Sequence, residues 1–193
     1  MKILFIRHGR TTGDDEDRYG GDYDDHLSVQ GQEQAKILAE ELKKYPVEYI
    51  VSSPLMRARE TAEIISQGSI PVKIEPQLKE RNQYGVLTGK IKSIAKHQQP
   101  ELVEKLKDRF ETLQGAESYD KFVNRIQQAF DILISNKKNN CVAVVWHGGP
   151  MKVLFREILM KGEVECGDCA WVELENKNQD LIIVNSKKIE FLF

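Results

Sequence analysis

The chain has few cysteines, no long apolar run and almost no net charge. Its 193 residues carry 28 Lys and Arg against 30 Asp and Glu, a formal net charge of −2. That balance lacks the basic excess with which nucleic-acid and membrane-surface binders hold a polyanion. No apolar stretch approaches the ~20 residues that a bilayer-spanning helix needs. The run Ile3-Leu4-Phe5-Ile6 is too short for the apolar core of a secretory signal, and Arg7 interrupts it. The three cysteines, Cys141, Cys166 and Cys169, are an odd count without disulfide spacing, which fits a reducing compartment. A cytoplasmic location is therefore expected. Cys166-Gly167-Asp168-Cys169 reads C-x-x-C. A structural zinc would need two further ligands at suitable spacing, and His26 and His97 lie in unrelated segments. The expectation is two small residues in a loop leading into a strand, with no metal and no cofactor. There is no internal repeat, low-complexity segment or linker, so residues 1–193 are expected to form a single domain with a sizeable core.

What is present is an alternation of strands and helices. Residues 2–6 suit a buried strand. Ser28 is placed to cap a helix in which Ala35, Leu38, Ala39 and Leu42 recur at helical spacing, and Pro46 stops it. Glu48–Ser52 reads as a second buried strand. Ser53-Pro54 starts a helix with Leu55, Ala58, Ala62 and Ile65 on its apolar face. Pro71–Ile74 is a short edge strand. Residues 91–136 have a helical pattern in three pieces, broken at Pro100 and Gly115. Cys141–Trp146 is the most apolar strand, and Gly148-Gly149-Pro150 launches a helix through Val153, Leu154 and Ile158. Three strands close the chain, at Ala170–Leu174, Leu181–Asn185 and Ile189–Phe193, with a turn cluster at 176–180. The pattern predicts an α/β fold with a mostly parallel central sheet and antiparallel edge strands. The helical insertion at about 91–136 is expected to cover one end of that sheet.

Ligands of open α/β sheets bind at the carboxyl ends of the strands. Arg7 and His8 follow the first strand, Ser52-Ser53-Pro54-Leu55-Met56-Arg57 the second, and His147-Gly148-Gly149 the apolar one. A lone His at a strand end is usually structural, and a lone Arg in a first helical turn is usually solvated. Arg57 there opposes the helix dipole, which points to something anionic nearby. Gly148-Gly149-Pro150 is a helix start stripped of side chains, leaving backbone N–H groups free to face an anion. Together these features predict an anion pocket holding two histidines. Guanidinium groups match phosphate oxygens bidentately, and histidine is a competent nucleophile toward phosphorus. A general acid must still protonate the leaving alkoxide. Glu80, in the stretch LKERNQYGVLTGK, is a candidate, although the usual fate of such a Glu is a surface loop.

RHGRT at 7–11, SSPLMRARETA at 52–62 and VVWHGG at 144–149 closely resemble the histidine phosphatase superfamily, which includes cofactor-dependent phosphoglycerate mutases. Gly21-x-x-Asp24-x-x-Leu27-Ser28-x-x-Gly31 fits the same pattern, as does Gly115-Ala116-Glu117-Ser118 before a helix. The resemblance implies a three-layer α/β/α sandwich. It implies that His8 becomes a phosphohistidine, that Arg7, Arg57 and His147 surround the phosphoryl group, and that Glu80 is proton donor and later base. Arg10, Thr11, Asp14, Arg81 and Gly148 are the expected substrate contacts, with Arg10 and Arg81 offering a second anionic subsite and Thr11 bracing the turn. Three positions depart from the family pattern. Asp14 stands where the family often has Asn, the motif after Glu80 is one residue longer, and Trp146 precedes the second histidine where a small residue is common. Trp146 is expected to pack beneath the pocket. The acidic loop Asp14–Arg18 with Asp22, Asp24 and Asp25 is expected to be solvated.

The insertion before the second histidine is short and lacks a paired Arg-Arg, which favours a phosphatase over a mutase. The expected activity is metal-independent hydrolysis of a small-molecule phosphomonoester. The alternatives are a phosphoglycerate mutase and a non-catalytic phospho-ligand binder. The expected partner is a small phosphorylated metabolite, with no nucleic acid and no membrane, for a monomer or homodimer.

Overall fold

The computed structural model describes residues 1–135, 140–177 and 180–192. Six strands form one sheet: β1 (Lys2–Arg7), β2 (Tyr49–Ser52), β3 (Val72–Ile74), β4 (Cys141–Trp146), β5 (Glu163–Lys177) and β6 (Asp180–Leu192). Their spatial order is β3-β2-β4-β1-β5-β6. The first four in that order run parallel, β5 is antiparallel to β1, and β6 is antiparallel to β5. A mostly parallel sheet with antiparallel edges is the architecture that the alternation of elements predicts.

Alternate side chains of the central strands supply two cores. Leu4, Ile6, Ala143 and Val145 face α2 (Val29–Leu42) and α3 (Met56–Ser66) through Ala35, Leu38, Ala58 and Ala62. Ile3, Phe5, Val144 and Trp146 face α6 (Tyr119–Ser135) and α7 (Gly148–Val153) through Phe122, Ile126, Phe130 and Met151. Trp146 is fully buried and stacks on Phe5 with ring centroids 4.6 Å apart. It packs beneath the site, as a large aromatic ending a buried strand should.

The helical insertion divides its work differently from the expectation. Its longest piece, α6, is a layer on a sheet face rather than a cover for an end. The shorter α4 (Lys92–Gln98) and α5 (Pro100–Lys105) close a small third cluster of Tyr19, Leu87, Ala95 and Leu113. Asn136 lies outside the described residues.

The carboxy-terminal strands also differ. β5 begins at Glu163, so Cys166 and Cys169 lie within a strand and not in a loop before it. The pairing with β6 shifts between Cys166 and Trp171, and Cys169 has φ 55°. This irregularity lets β6 run as one strand through Ser186–Lys188, where the polar residues suggested a break. Of the predicted turn cluster, residues 178 and 179 lie outside the described residues, as does Phe193. Among the described residues, no helix is long and apolar enough to cross a membrane.

Helix α3 begins two residues later than Ser53-Pro54 suggests. Ser53 Oγ accepts the Leu55 N–H at 3.3 Å, and Asp24 Oδ1 accepts the Met56 N–H at 2.7 Å. Arg57 is thereby the second helical residue.

Candidate active site

β1 and β4 end level and β2 ends one residue short of them, and that register assembles the site. Arg7 pairs with Trp146 across β1 and β4, and Ser52 pairs with Val145 across β2 and β4. The residues that follow, His8, His147 and Ser53, leave the sheet side by side at its carboxyl edge. The His8 backbone is held on both flanks. Its N–H donates to the Trp146 carbonyl at 3.1 Å, and its carbonyl accepts the Cys169 N–H at 3.1 Å.

His8 Nδ1 lies 2.7 Å from the Gly9 carbonyl oxygen. A carbonyl only accepts, so Nδ1 carries the proton and Nε2 presents a lone pair. The Nε–H of Arg57 donates to that Nε2 at 3.1 Å. Burial, then the Arg57 and Arg7 guanidinium groups, hold His8 well below the ordinary histidine value. The ring is neutral at pH 7.

His147 is fully buried, and its ring meets that of His8 edge-on with centroids 5.1 Å apart. Its Nε2 lies 2.7 Å from Ser53 Oγ, and its Nδ1 has no partner among the described residues. Burial, then Arg57, His8 and Arg7, hold this ring well below the ordinary value too.

The guanidinium of Arg57 is pinned at its far end. Nη1 donates to Tyr23 O at 2.6 Å and Asp25 Oδ1 at 2.9 Å, and Nη2 donates to Gly21 O at 2.7 Å. Thr61, one turn along α3, accepts the Gly9 N–H at 3.3 Å and donates to Arg57 O at 2.7 Å. Arg7 donates through Nη1 to the Cys166 carbonyl, and its Nη2 stands 3.2 Å from Asp168 Oδ1.

Glu80 accepts the Arg81 N–H at 2.8 Å through Oε1 and the Gly149 N–H at 2.9 Å through Oε2. Burial pushes its carboxyl up, against those two bonds and the pull of Arg57 and Arg7. The backbone of the glycine-rich helix start therefore already holds a carboxyl group, the protein's own. Gly149 leaves room for this carboxyl, because a Cβ there would run into Glu80 Oε1 and push it aside. Arg7, His8, Arg57, Glu80 and Gly148 line a cavity of about 180 Å³. Arg7, Glu80 and Gly148 also line an adjoining cavity of about 460 Å³, whose other walls carry Arg109, Lys152, Arg156 and Glu163.

The expected substrate contacts fare unevenly. Gly148 lines both cavities. Arg10 lines neither; its Nε pairs with Asp15 at 2.6 Å, because that surface carboxylate lies within its reach. Thr11 and Asp14 form a reciprocal capping box on the short helix α1 (Thr12–Asp15). Thr11 Oγ1 accepts the Asp14 N–H at 3.0 Å, and Asp14 Oδ2 accepts the Thr11 N–H at 3.0 Å. The carboxylate that would repel phosphate is thus turned onto its own helix start, although both residues reach the wall of the smaller cavity. Arg81 is buried and spends its guanidinium on the carbonyls of Glu117 and Arg109, at 3.0 and 2.8 Å. These bonds pin the loop before α6, and Arg81 also lines the larger cavity.

The acidic loop is not simply solvated. Asp25 is buried on Arg57, Asp24 caps α3, and Asp22 stands 3.1 Å from Lys79. Nothing in the run of aspartates marks Asp25 as the buried one. Ser53 could be read from the sequence, since it directly follows β2, beside the strand ends that carry the histidines. The C-x-x-C stretch serves as a bulge that holds Arg7 and His8. Burial pushes the Cys166 and Cys169 thiols up to about 11 and about 12, away from redox reactivity. Among the described residues, no three His, Cys, Asp or Glu side chains cluster to hold a metal ion.

A family model for the histidine phosphatase superfamily, branch 1, matches residues 3–186. The chain is 33% identical to a metal-independent phosphoserine phosphatase of Arabidopsis thaliana, over 81% of this chain and 68% of that protein. It is 31% identical to phosphoglycerate mutase-like protein 4 of the same plant, over 80% of this chain and 69% of that protein. Its fold superposes on a mycobacterial glucosyl-3-phosphoglycerate phosphatase with a TM-score of 0.81 at 24% identity, covering 97% of this chain and 98% of that one. With its paired histidines at level strand ends and this match along nearly its whole length, the chain belongs to branch 1 of the histidine phosphatase superfamily.

Proposed function

We propose that the protein is a metal-independent phosphatase that hydrolyses a small-molecule phosphomonoester through a phosphohistidine on His8. The observation that carries this reading is the His8 tautomer. Nδ1–H is tied to the Gly9 carbonyl, so the neutral ring turns an unprotonated Nε2 into a pocket walled by Arg7, Arg57 and Glu80. The relatives with phosphatase names support it.

In the proposed reaction, the Nε2 lone pair attacks phosphorus in line with the ester oxygen. The P–N bond forms as the P–O bond to the leaving group breaks. Protonated Glu80 gives its proton to the departing oxygen, and its raised carboxyl value favours that form. With Ser53 Oγ–H donating to His147 Nε2, the unpartnered Nδ1 carries the proton and is the donor for a phosphoryl oxygen. In the second step, Glu80 carboxylate takes a proton from water, whose oxygen attacks phosphorus. The P–N bond breaks, and inorganic phosphate and neutral His8 result. The larger cavity receives the leaving group.

A mutase would use the same first step and pass the phosphoryl group to a hydroxyl. A panel of phosphomonoesters assayed for released phosphate, with and without 3-phosphoglycerate plus a bisphosphoglycerate primer, separates the two. Phosphate release without primer is the expected result. Primer-dependent isomerisation without release would make the protein a mutase, and silence in both assays would make it a binder.

Gly149→Ala tests the placement of Glu80. Displacing the carboxylate from its backbone cradle is expected to lower kcat/KM by roughly a hundredfold, the scale of a misplaced reacting group. Glu80→Gln in the same background should add little. Full additivity of the two losses would separate Gly149 from Glu80.

A further inference from the structure

The two guanidinium groups of the pocket each have a carboxylate at their back. Asp25 is 6% exposed. Its Oδ1 accepts from Arg57 Nη1 at 2.9 Å, and its Oδ2 accepts the Gly13 N–H at 3.2 Å. The seat is shaped for it, since a Cβ on Gly13 would run into Oδ2. Asp168, on the β5 bulge, stands 3.2 Å from Arg7 Nη2. Two separate segments thus deliver one carboxylate to each arginine.

Both bridges constrain direction. Arg57 has five N–H donors, and four are committed: one to His8, two to Tyr23 and Asp25, one to Gly21. One N–H, on Nη2, remains for an incoming oxygen. Both bridges also lower the positive charge that an anion meets. Two uncompensated guanidinium groups in a buried cleft would hold a phosphate dianion strongly, and after hydrolysis that dianion is the product.

We propose that Asp25 and Asp168 are positioning residues that act through Arg57 and Arg7, aiming the two guanidinium groups and offsetting their charge so that inorganic phosphate is released. This rests on the phosphatase reading above.

The test uses Asp25→Asn and Asp168→Asn in the full chain, with inorganic phosphate as probe. Isothermal titration should show phosphate binding about tenfold tighter in D25N, the order expected for losing one nearby charge partly screened by solvent. The effect in D168N should be about threefold, because that bridge is more open to water. In turnover of p-nitrophenyl phosphate, kcat and KM should fall together as product release slows. A merely structural role would leave phosphate affinity unchanged or weaken it. Either of those results, in a variant whose thermal melting is intact, overturns the proposal. Should D25N fail to fold, D168N decides. A wild-type protein that binds phosphate yet turns over no ester would remove the phosphatase reading, while the two titrations would still judge the aspartates.

Discussion

His8→Ala is expected to remove turnover by roughly four orders of magnitude or more, the scale of losing a nucleophile that works within a set of groups. The arrangement offers no substitute. His147 is fully buried and, unlike His8, lines neither of the two cavities, so it is not placed to take over attack. The variant should also lose the acid-labile, base-stable phosphorylation that marks a phosphohistidine. It should keep its affinity for inorganic phosphate within a few fold, because Arg7, Arg57 and His147 remain. Phosphate binding with no phosphoenzyme and no turnover is the combined signature. Substantial activity in the variant would exclude His8 as the nucleophile.

Glu80→Gln carries the second largest effect, and its size should depend on the leaving group. An alkyl phosphate leaves as a strongly basic alkoxide and needs the proton, so its turnover is expected to fall by about a thousandfold, within the range for general acid–base catalysis. p-Nitrophenolate leaves without help, so phosphorylation of His8 by p-nitrophenyl phosphate should be nearly unaffected. The second step still lacks its base, and a burst of p-nitrophenolate followed by a slow rate is expected. The pH profile adds a sign. Burial raises the Glu80 carboxyl above its ordinary value, so the proton-donating form persists at higher pH than usual and is lost as pH rises through that value. Wild-type kcat/KM on the alkyl ester should decline along that alkaline limb, and the variant should not show it. Substrate ionisation is common to both proteins and cancels in the ratio. An equal loss on both esters, without a burst, would remove Glu80 from the proton-transfer role.

Much of this site is legible in the sequence because its parts are local. Arg7 ends a strand, His8 and His147 directly follow one, Arg57 sits in the first turn of the helix after another, and parallel strands bring their carboxyl ends to one edge. Glu80 is readable only by resemblance, since nothing local separates it from an ordinary loop carboxylate. Arg10 misleads for a simple reason: a long flexible cation takes the nearest anion, and Asp15 is nearer than the pocket. Asp14 does reach the pocket wall, but its capping bond depends on backbone direction, which residue type alone does not report. Asp25 is hidden among neighbouring aspartates, and only the three-dimensional path of the loop turns one inward. The long β5–β6 ribbon is missed because a bulge with Cys169 in the left-handed region looks, residue by residue, like a loop.

The position of β1 has a further consequence for how the chain is made. β1 sits between β4 and β5, so both of its hydrogen-bonding neighbours come from the last third of the sequence. During synthesis the apolar strand that carries the Arg-His pair emerges long before its partners and stays unpaired in this sheet until residues beyond Cys141 have left the ribosome. Such distant pairings form slowly, and an exposed apolar strand is open to association in the meantime. The Arg-His pair therefore cannot take its place at the sheet edge until β4 and β5 have followed it out.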